Sequence, residues 1–125
     1  MAKGPSRRQL LGLLAGAVVA GLPSPTRADD RPLFQFFHAF DCPHCKKAKP
    51  FVAKLEKQHR GVRFESWEVK KDAEGRRRFA KEVKRLNVRD PGVPLFVCGD
   101  AHVMGWLGAE TERCVRQMIA RCKTA

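Results

Sequence analysis

Apolar and polar positions follow two different periods along this chain, and the switches between them mark out elements. Leu33-Phe34-Gln35-Phe36-Phe37 is short, apolar and rich in aromatics, the pattern of a buried central strand. From about Cys42 to Gln58 the apolar residues Ala48, Phe51, Val52 and Leu55 recur at helical spacing. Asp41 just before this stretch is an N-cap-type residue, and Pro43 suits a first helical turn. Pro50 falls inside the helix and predicts a kink. Gly61 ends the next turn, and Val62 to Val69 reads as a second strand carrying Val62, Phe64, Trp67 and Val69. Asp72 is placed to cap a helix over about Ala73 to Leu86, whose apolar stripe is Phe79, Val83 and Leu86. Asp90-Pro91-Gly92 marks a turn before a third strand, Val93 to Cys98. Gly99-Asp100 then reads as a tight hairpin turn into a fourth strand, His102 to Trp106. A last helix, about Glu110 to Lys123, sets Val115, Met118, Ile119 and Cys122 on one face.

The order is β-α-β-α-β-β-α. Helical connections permit parallel pairing of the first strands, and the Gly99-Asp100 turn imposes an antiparallel pair at the end. Strands that are apolar on both sides require helices over both faces of the sheet.

The segment ahead of the first strand has a different character. Lys3, Arg7 and Arg8 precede an apolar run from Leu10 to Leu22, followed by Pro23-Ser24-Pro25 and Thr26-Arg27-Ala28. These are the basic, apolar and small-residue parts of a secretory signal. The apolar run is shorter than the ~20 residues of a spanning helix and is thinned by Gly12, Gly16 and Gly21. Ser6-Arg7-Arg8-Gln9-Leu10-Leu11 resembles a twin-arginine export signal, with Leu10 in place of the usual Phe. We therefore expect residues 1–28 to be a signal peptide, residues 29–125 to be one domain, and the mature protein to work in the periplasm or another extracytoplasmic space.

The full chain of 125 residues carries a net charge of +12. The first 28 residues hold four Lys/Arg and no Asp/Glu, which leaves 21 basic against 13 acidic residues beyond them. Lys46, Lys47, Lys54, Lys57, Arg76, Lys81 and Lys84 spread along helices without interleaved aromatics. That distribution reads as a solvated basic surface, suited to acidic partners or anionic lipid, and not as a nucleic-acid site.

Chemistry concentrates at Cys42-Pro43-His44-Cys45. A cysteine at a helix start sits where free backbone N–H groups and the positive end of the helix dipole converge. That setting favours the thiolate, which is the attacking species. A second cysteine three residues on lies one helical turn away, near enough to close a disulfide. Cys42 is thus the candidate nucleophile and Cys45 the resolving thiol. His44 can stabilise the Cys42 thiolate by hydrogen bond or charge. Asp41 works the other way, because its carboxylate adjoins Cys42 and can compete for the same N–H groups. A zinc ribbon would carry a second Cys-x-x-Cys or a histidine pair at ligand spacing, and Cys98, Cys114 and Cys122 supply neither. We expect no metal and no cofactor. Two alternatives stay open: a copper- or zinc-binding module using Cys42, His44 and Cys45, and a non-catalytic scaffold docking through the basic surface.

The segment Phe36-Phe37-His38-Ala39-Phe40-Asp41-Cys42-Pro43-His44-Cys45-Lys46, with Pro50 five residues after Cys45, resembles the active-site region of the thioredoxin superfamily. Its Cys-Pro-His-Cys core is similar to that of DsbA-like enzymes. Gly92-Val93-Pro94 resembles the superfamily's cis-proline loop, and Gly105 its glycine after the terminal hairpin. The likeness runs from Leu33 to Cys122. It implies an α/β thioredoxin fold with a central mixed four-stranded sheet flanked by three helices. It further implies a protein disulfide oxidoreductase, oxidase or reductase, that acts on protein thiols and disulfides. Val93 would then offer its backbone N–H and C=O to an extended substrate, with Pro94 packed beside the sulfurs. A membrane partner would recharge the pair, and the chain would be a monomer. The interval from Cys45 to Pro94 is too short for the helical domain that DsbA inserts there, so a minimal thioredoxin or glutaredoxin shape is expected. Phe36 stands where thioredoxins often bury an acid, and His38 where they often have Trp; for His38 a structural role is expected.

The remaining cysteines read as free thiols, since buried cysteines commonly serve as packing. Cys114 and Cys122 share one helix about 12 Å apart, too far to bond, whereas Cys98 could reach either. His59 and His102 are expected on the surface.

Overall fold

The seven elements are β1 (Leu33–His38), α1 (Pro43–Gln58), β2 (Arg63–Glu68), α2 (Ala73–Leu86), β3 (Leu95–Cys98), β4 (Ala101–Met104) and α3 (Ala109–Thr124). They come from a computed structural model that describes residues 29–124. The signal-peptide reading of residues 1–28 lies outside the described residues. The strands form one mixed sheet in the order β2-β1-β3-β4. β1 and β2 run parallel, while β1–β3 and β3–β4 are antiparallel. This is the α/β arrangement expected from the alternation of periods.

Side-chain alternation along β1 sorts the core into two layers. Phe34 and Phe36 face α1 and α3, and pack with Ala48, Phe51, Leu55, Phe96, Val115, Met118 and Ile119. Phe37 faces the other way with Leu95 and Val97, under Trp67 and the α2 stripe Phe79, Val83 and Leu86. Phe34, Phe36, Phe37 and Phe96 are essentially shut off from solvent. Burial of each such ring is worth about 2–3 kcal/mol before entropy is counted, so these four side chains anchor the sheet between its helices.

The element boundaries follow local chemistry. α2 begins where expected, because the Asp72 carboxylate accepts the Gly75 N–H at 3.0 Å. It ends at Asn87, whose φ of 55° is left-handed, a common exit for asparagine. β3 starts at Leu95 and not at Val93, since Pro94 has no N–H to give a ladder. β4 is shifted towards the turn and stops at Met104, ahead of Gly105 with φ of 92°.

Two expectations about the outlying residues are corrected. Cys98 and Cys122 are not free thiols but form a disulfide, with a Cα–Cα distance of 6.0 Å. Packing α3 against β3 lays the end of the helix beside the end of the strand, a tertiary proximity that helical periodicity does not reveal. Cys114 is exposed and is the free cysteine among the described residues. His59 is half-buried at the end of α1, with its Nδ1 enclosed and without a hydrogen-bond partner, whereas His102 is exposed.

Candidate active site

β1 delivers the chain to one end of the sheet, and the site is built where it turns into α1. Cys42 is the N-cap of α1, with extended backbone at φ −106° and ψ 108°. Its Sγ accepts the Cys45 N–H at 3.1 Å, filling one of the orphan donors of the first turn. The expected cap, Asp41, is displaced from that task. The sulfur is directed at the helix N-terminus, where the dipole is positive.

Cys42 and Cys45 are joined as a disulfide, with Cα atoms 5.2 Å apart. Their environments differ. Cys42 is half-exposed, whereas Cys45 is fully buried one turn into the helix. Pro43 occupies the first helical position and His44 follows it; both are exposed. From the opposite side, the Val93 carbonyl oxygen lies 3.9 Å from Cys42 Sγ. The Val93–Pro94 peptide is cis, Pro94 is buried and Val93 is partly exposed. The Gly105 N–H donates to the Pro94 carbonyl at 2.8 Å, which ties the loop after β4 to the same end of the sheet. Among the described residues, the large apolar side chains that remain well exposed, Phe40, Met104 and Leu107, all lie in or beside these converging loops.

Asp41 turns outward and pairs with Lys70 at 2.8 Å. The hydrogen bond from Lys70 holds its carboxyl below the usual range. Beneath this pair sits Glu68, at the end of β2. Its carboxylate accepts the N–H of Phe40 at 2.9 Å, Lys70 at 3.0 Å, Lys71 at 2.6 Å and Asp72 at 3.2 Å. Desolvation pushes its pKa up, but these backbone donors together outweigh that and bring it to about 2. Lys71 adds a third link, its ammonium lying 4.0 Å from the centre of the Phe40 ring. The turn after β2 is thereby fastened to the loop that carries Cys42. None of Glu68, Lys70 and Lys71 was picked out in sequence. A glutamate ending a strand and two lysines in a turn carry no local mark of such a junction.

His38, at the end of β1, is half-buried and stacked on Phe36 with ring centres 5.1 Å apart. Burial lowers its pKa and Lys49 lowers it further, against a smaller opposing pull from Glu68. Its Nδ1 is enclosed and unpartnered. Phe36 lies buried under α1, so the floor of the site is hydrocarbon where thioredoxins often bury an acid. Among the described residues, no group of three or more His, Cys, Asp or Glu side chains could hold a metal ion, and no helix is long and apolar enough to cross a membrane.

No protein-family model and no curated protein matches the chain. Solved structures do. A thioredoxin from Fasciola hepatica superposes with a TM-score of 0.58 at 23% identity, covering 74% of this chain and 82% of that one. Mitochondrial thioredoxin 3 from Saccharomyces cerevisiae, in its oxidised form, gives 0.56 at 22% identity, over 74% and 81%. A glutaredoxin from Archaeoglobus fulgidus gives 0.50 at 26% identity, over 69% and 84%. The chain therefore has the thioredoxin fold. Its Cys42–Cys45 pair at a helix start is consistent with a thioredoxin-superfamily protein, and a disulfide so placed is an arrangement that can carry thiol–disulfide exchange.

Proposed function

We propose that this chain is an exported protein disulfide oxidoreductase that works in the periplasm or cell envelope as a monomer, recharged by a membrane redox partner. One observation carries the catalytic part: an accessible sulfur sits at a helix N-terminus with a buried sulfur one turn behind it. In the reducing direction, the Cys42 thiolate attacks one sulfur of a substrate disulfide and expels the other as a thiolate, leaving a mixed disulfide. Cys45 then loses its proton and attacks Cys42. The Cys42–Cys45 bond forms, the bond to substrate breaks, and the substrate leaves as dithiol with two electrons gained. In the oxidising direction the same steps run backwards.

His44 and Pro43 tune the Cys42 leaving group, and Val93 with Pro94 hold an extended substrate segment against it. The exposed Phe40, Met104 and Leu107 around the disulfide favour protein over small-molecule substrates. Export rests on the pattern of residues 1–28, and a disulfide of Cys98 with Cys122 suits an oxidising compartment. Cys42→Ala should abolish reduction of insulin disulfides and oxidation of a dithiol peptide. Cys45→Ala should trap a mixed disulfide with substrate. Turnover that survives Cys42→Ala, or stoichiometric tight zinc or copper on the reduced protein without exchange activity, would defeat the reading.

A further inference from the structure

Asp41 immediately precedes the reactive cysteine, and an unbalanced negative charge so near opposes a second one on sulfur. The geometry resolves this conflict. Asp41 does not cap α1, and its charge is met by Lys70 at 2.8 Å. Lys70 comes from a different element, the turn after β2, so its position depends on how that turn is held. Glu68 holds it, through N–H donors at Lys70, Lys71 and Asp72 on one side and Phe40 on the other. Further, Arg76 Nη1 donates to the Lys70 carbonyl at 2.7 Å. A lysine on a free loop would contribute little, since an exposed pair must also immobilise two side chains. Here the backbone on both sides is already fixed.

We propose that Lys70 is a positioning residue for exchange at Cys42: it neutralises Asp41, and so keeps that carboxylate from suppressing the Cys42 thiolate. The inference rests on the reading of Cys42 as nucleophile. The other charged groups around the loop are accounted for. Glu68 is saturated by backbone donors, Lys71 lies over Phe40, His38 is half-buried against Phe36 with Lys49 acting on it, and His44, Lys46 and Lys47 are exposed at the start of α1. Lys70 is thus the cation aimed at Asp41.

The test measures Cys42 alkylation by iodoacetamide against pH, in gently reduced protein carrying Cys114→Ser to remove the exposed competing thiol. Lys70→Met should slow alkylation roughly three-fold below the thiol midpoint at low salt, the effect of one charge at several ångströms in largely aqueous surroundings. The deficit should fade in about 1 M NaCl, which a purely structural role would not produce. Lys70→Arg should restore the rate. Asp41→Asn should remove the effect, so that Asp41→Asn/Lys70→Met behaves as Asp41→Asn alone. A Lys70→Met profile that overlays the parent, or a double variant as slow as Lys70→Met, overturns the proposal. If Cys42 in the parent reacts no faster than Cys114 does in protein that retains it, the reading of Cys42 fails first and this inference falls with it.

Discussion

Removing the Cys98–Cys122 disulfide should cost this protein much of its stability and none of its chemistry. The two cysteines are 24 residues apart in sequence, so the bridge closes a loop of about 25 residues. Chain-entropy reasoning assigns such a loop about 3.5 kcal/mol, a large share of the 5–15 kcal/mol typical of a domain. The suitable variant is Cys122→Ala. It leaves Cys98, which is 1% exposed, as a small buried thiol among apolar neighbours and opens little space. For a domain of this size the loss translates to a fall in midpoint of roughly 15 °C or more, read by circular dichroism with parallel urea titrations. The bridge lies at the far end of the sheet from the reactive pair. Cys98 is opposite Phe34 at the start of β1, whereas Leu95 is opposite Phe37, near the turn into Cys42. Exchange rates at 25 °C should therefore match the parent's while the variant remains folded. A shift below about 1 kcal/mol would refute the claim that the bridge constrains the unfolded chain. A folded variant with altered Cys42 reactivity would refute the claim that the two ends are independent.

Other outcomes follow from single contacts. A Cβ at Gly75 would overlap the Glu68 backbone carbonyl, so Gly75→Ala should cost about 1–3 kcal/mol in urea unfolding, whereas a change at open Gly61 should cost little beyond its backbone preference. His38 and His59 have pKa values lowered from 6.5 by burial first and by neighbouring cations second. Lowered histidines favour the neutral state, so their contribution is present above pH 6.5 and is lost as pH falls below it. Glu68, near 2 in the folded chain, contributes stability that is complete above the ordinary glutamate range and lost between about pH 4.5 and 2. Thermal midpoints across pH 2–8 should show both declines; a midpoint that rises on acidification would contradict them. Glu68→Gln should bring the lower decline up to neutral pH, because an amide cannot accept from Phe40 and the turn donors together.

Much of this architecture is legible in the chain itself. The aromatic-rich Leu33–Phe37 run, broken only by Gln35, identifies the central strand, and Asp72 with the Phe79, Val83 and Leu86 stripe defines α2. The reactive pair is equally plain, because helix-start position and spacing are both local. What sequence hid was the particular side-chain pairings between distant residues. Asp41 has the chemistry of a cap, yet Lys70 and the sulfur of Cys42 together outcompete that local preference. The pairing of Cys98 with Cys122 depends on where α3 crosses β3. The Glu68 junction depends on parallel pairing of β1 with β2, which sets Glu68 beside His38 at the end of the strands.

The unequal shelter of the five sulfurs implies a staircase in any count of reactive thiols. Air-oxidised native protein should titrate as one, the solvent-facing Cys114. A mild reductant should open the Cys42–Cys45 pair first, because the helix N-terminus favours the departing Cys42 thiolate; a disulfide reagent, which Cys45 displaces from Cys42 by closing the pair again, then counts three. Only denaturant with reductant should expose Cys98 and complete five. The height at which a preparation stands on that staircase reports its redox state and its integrity at once.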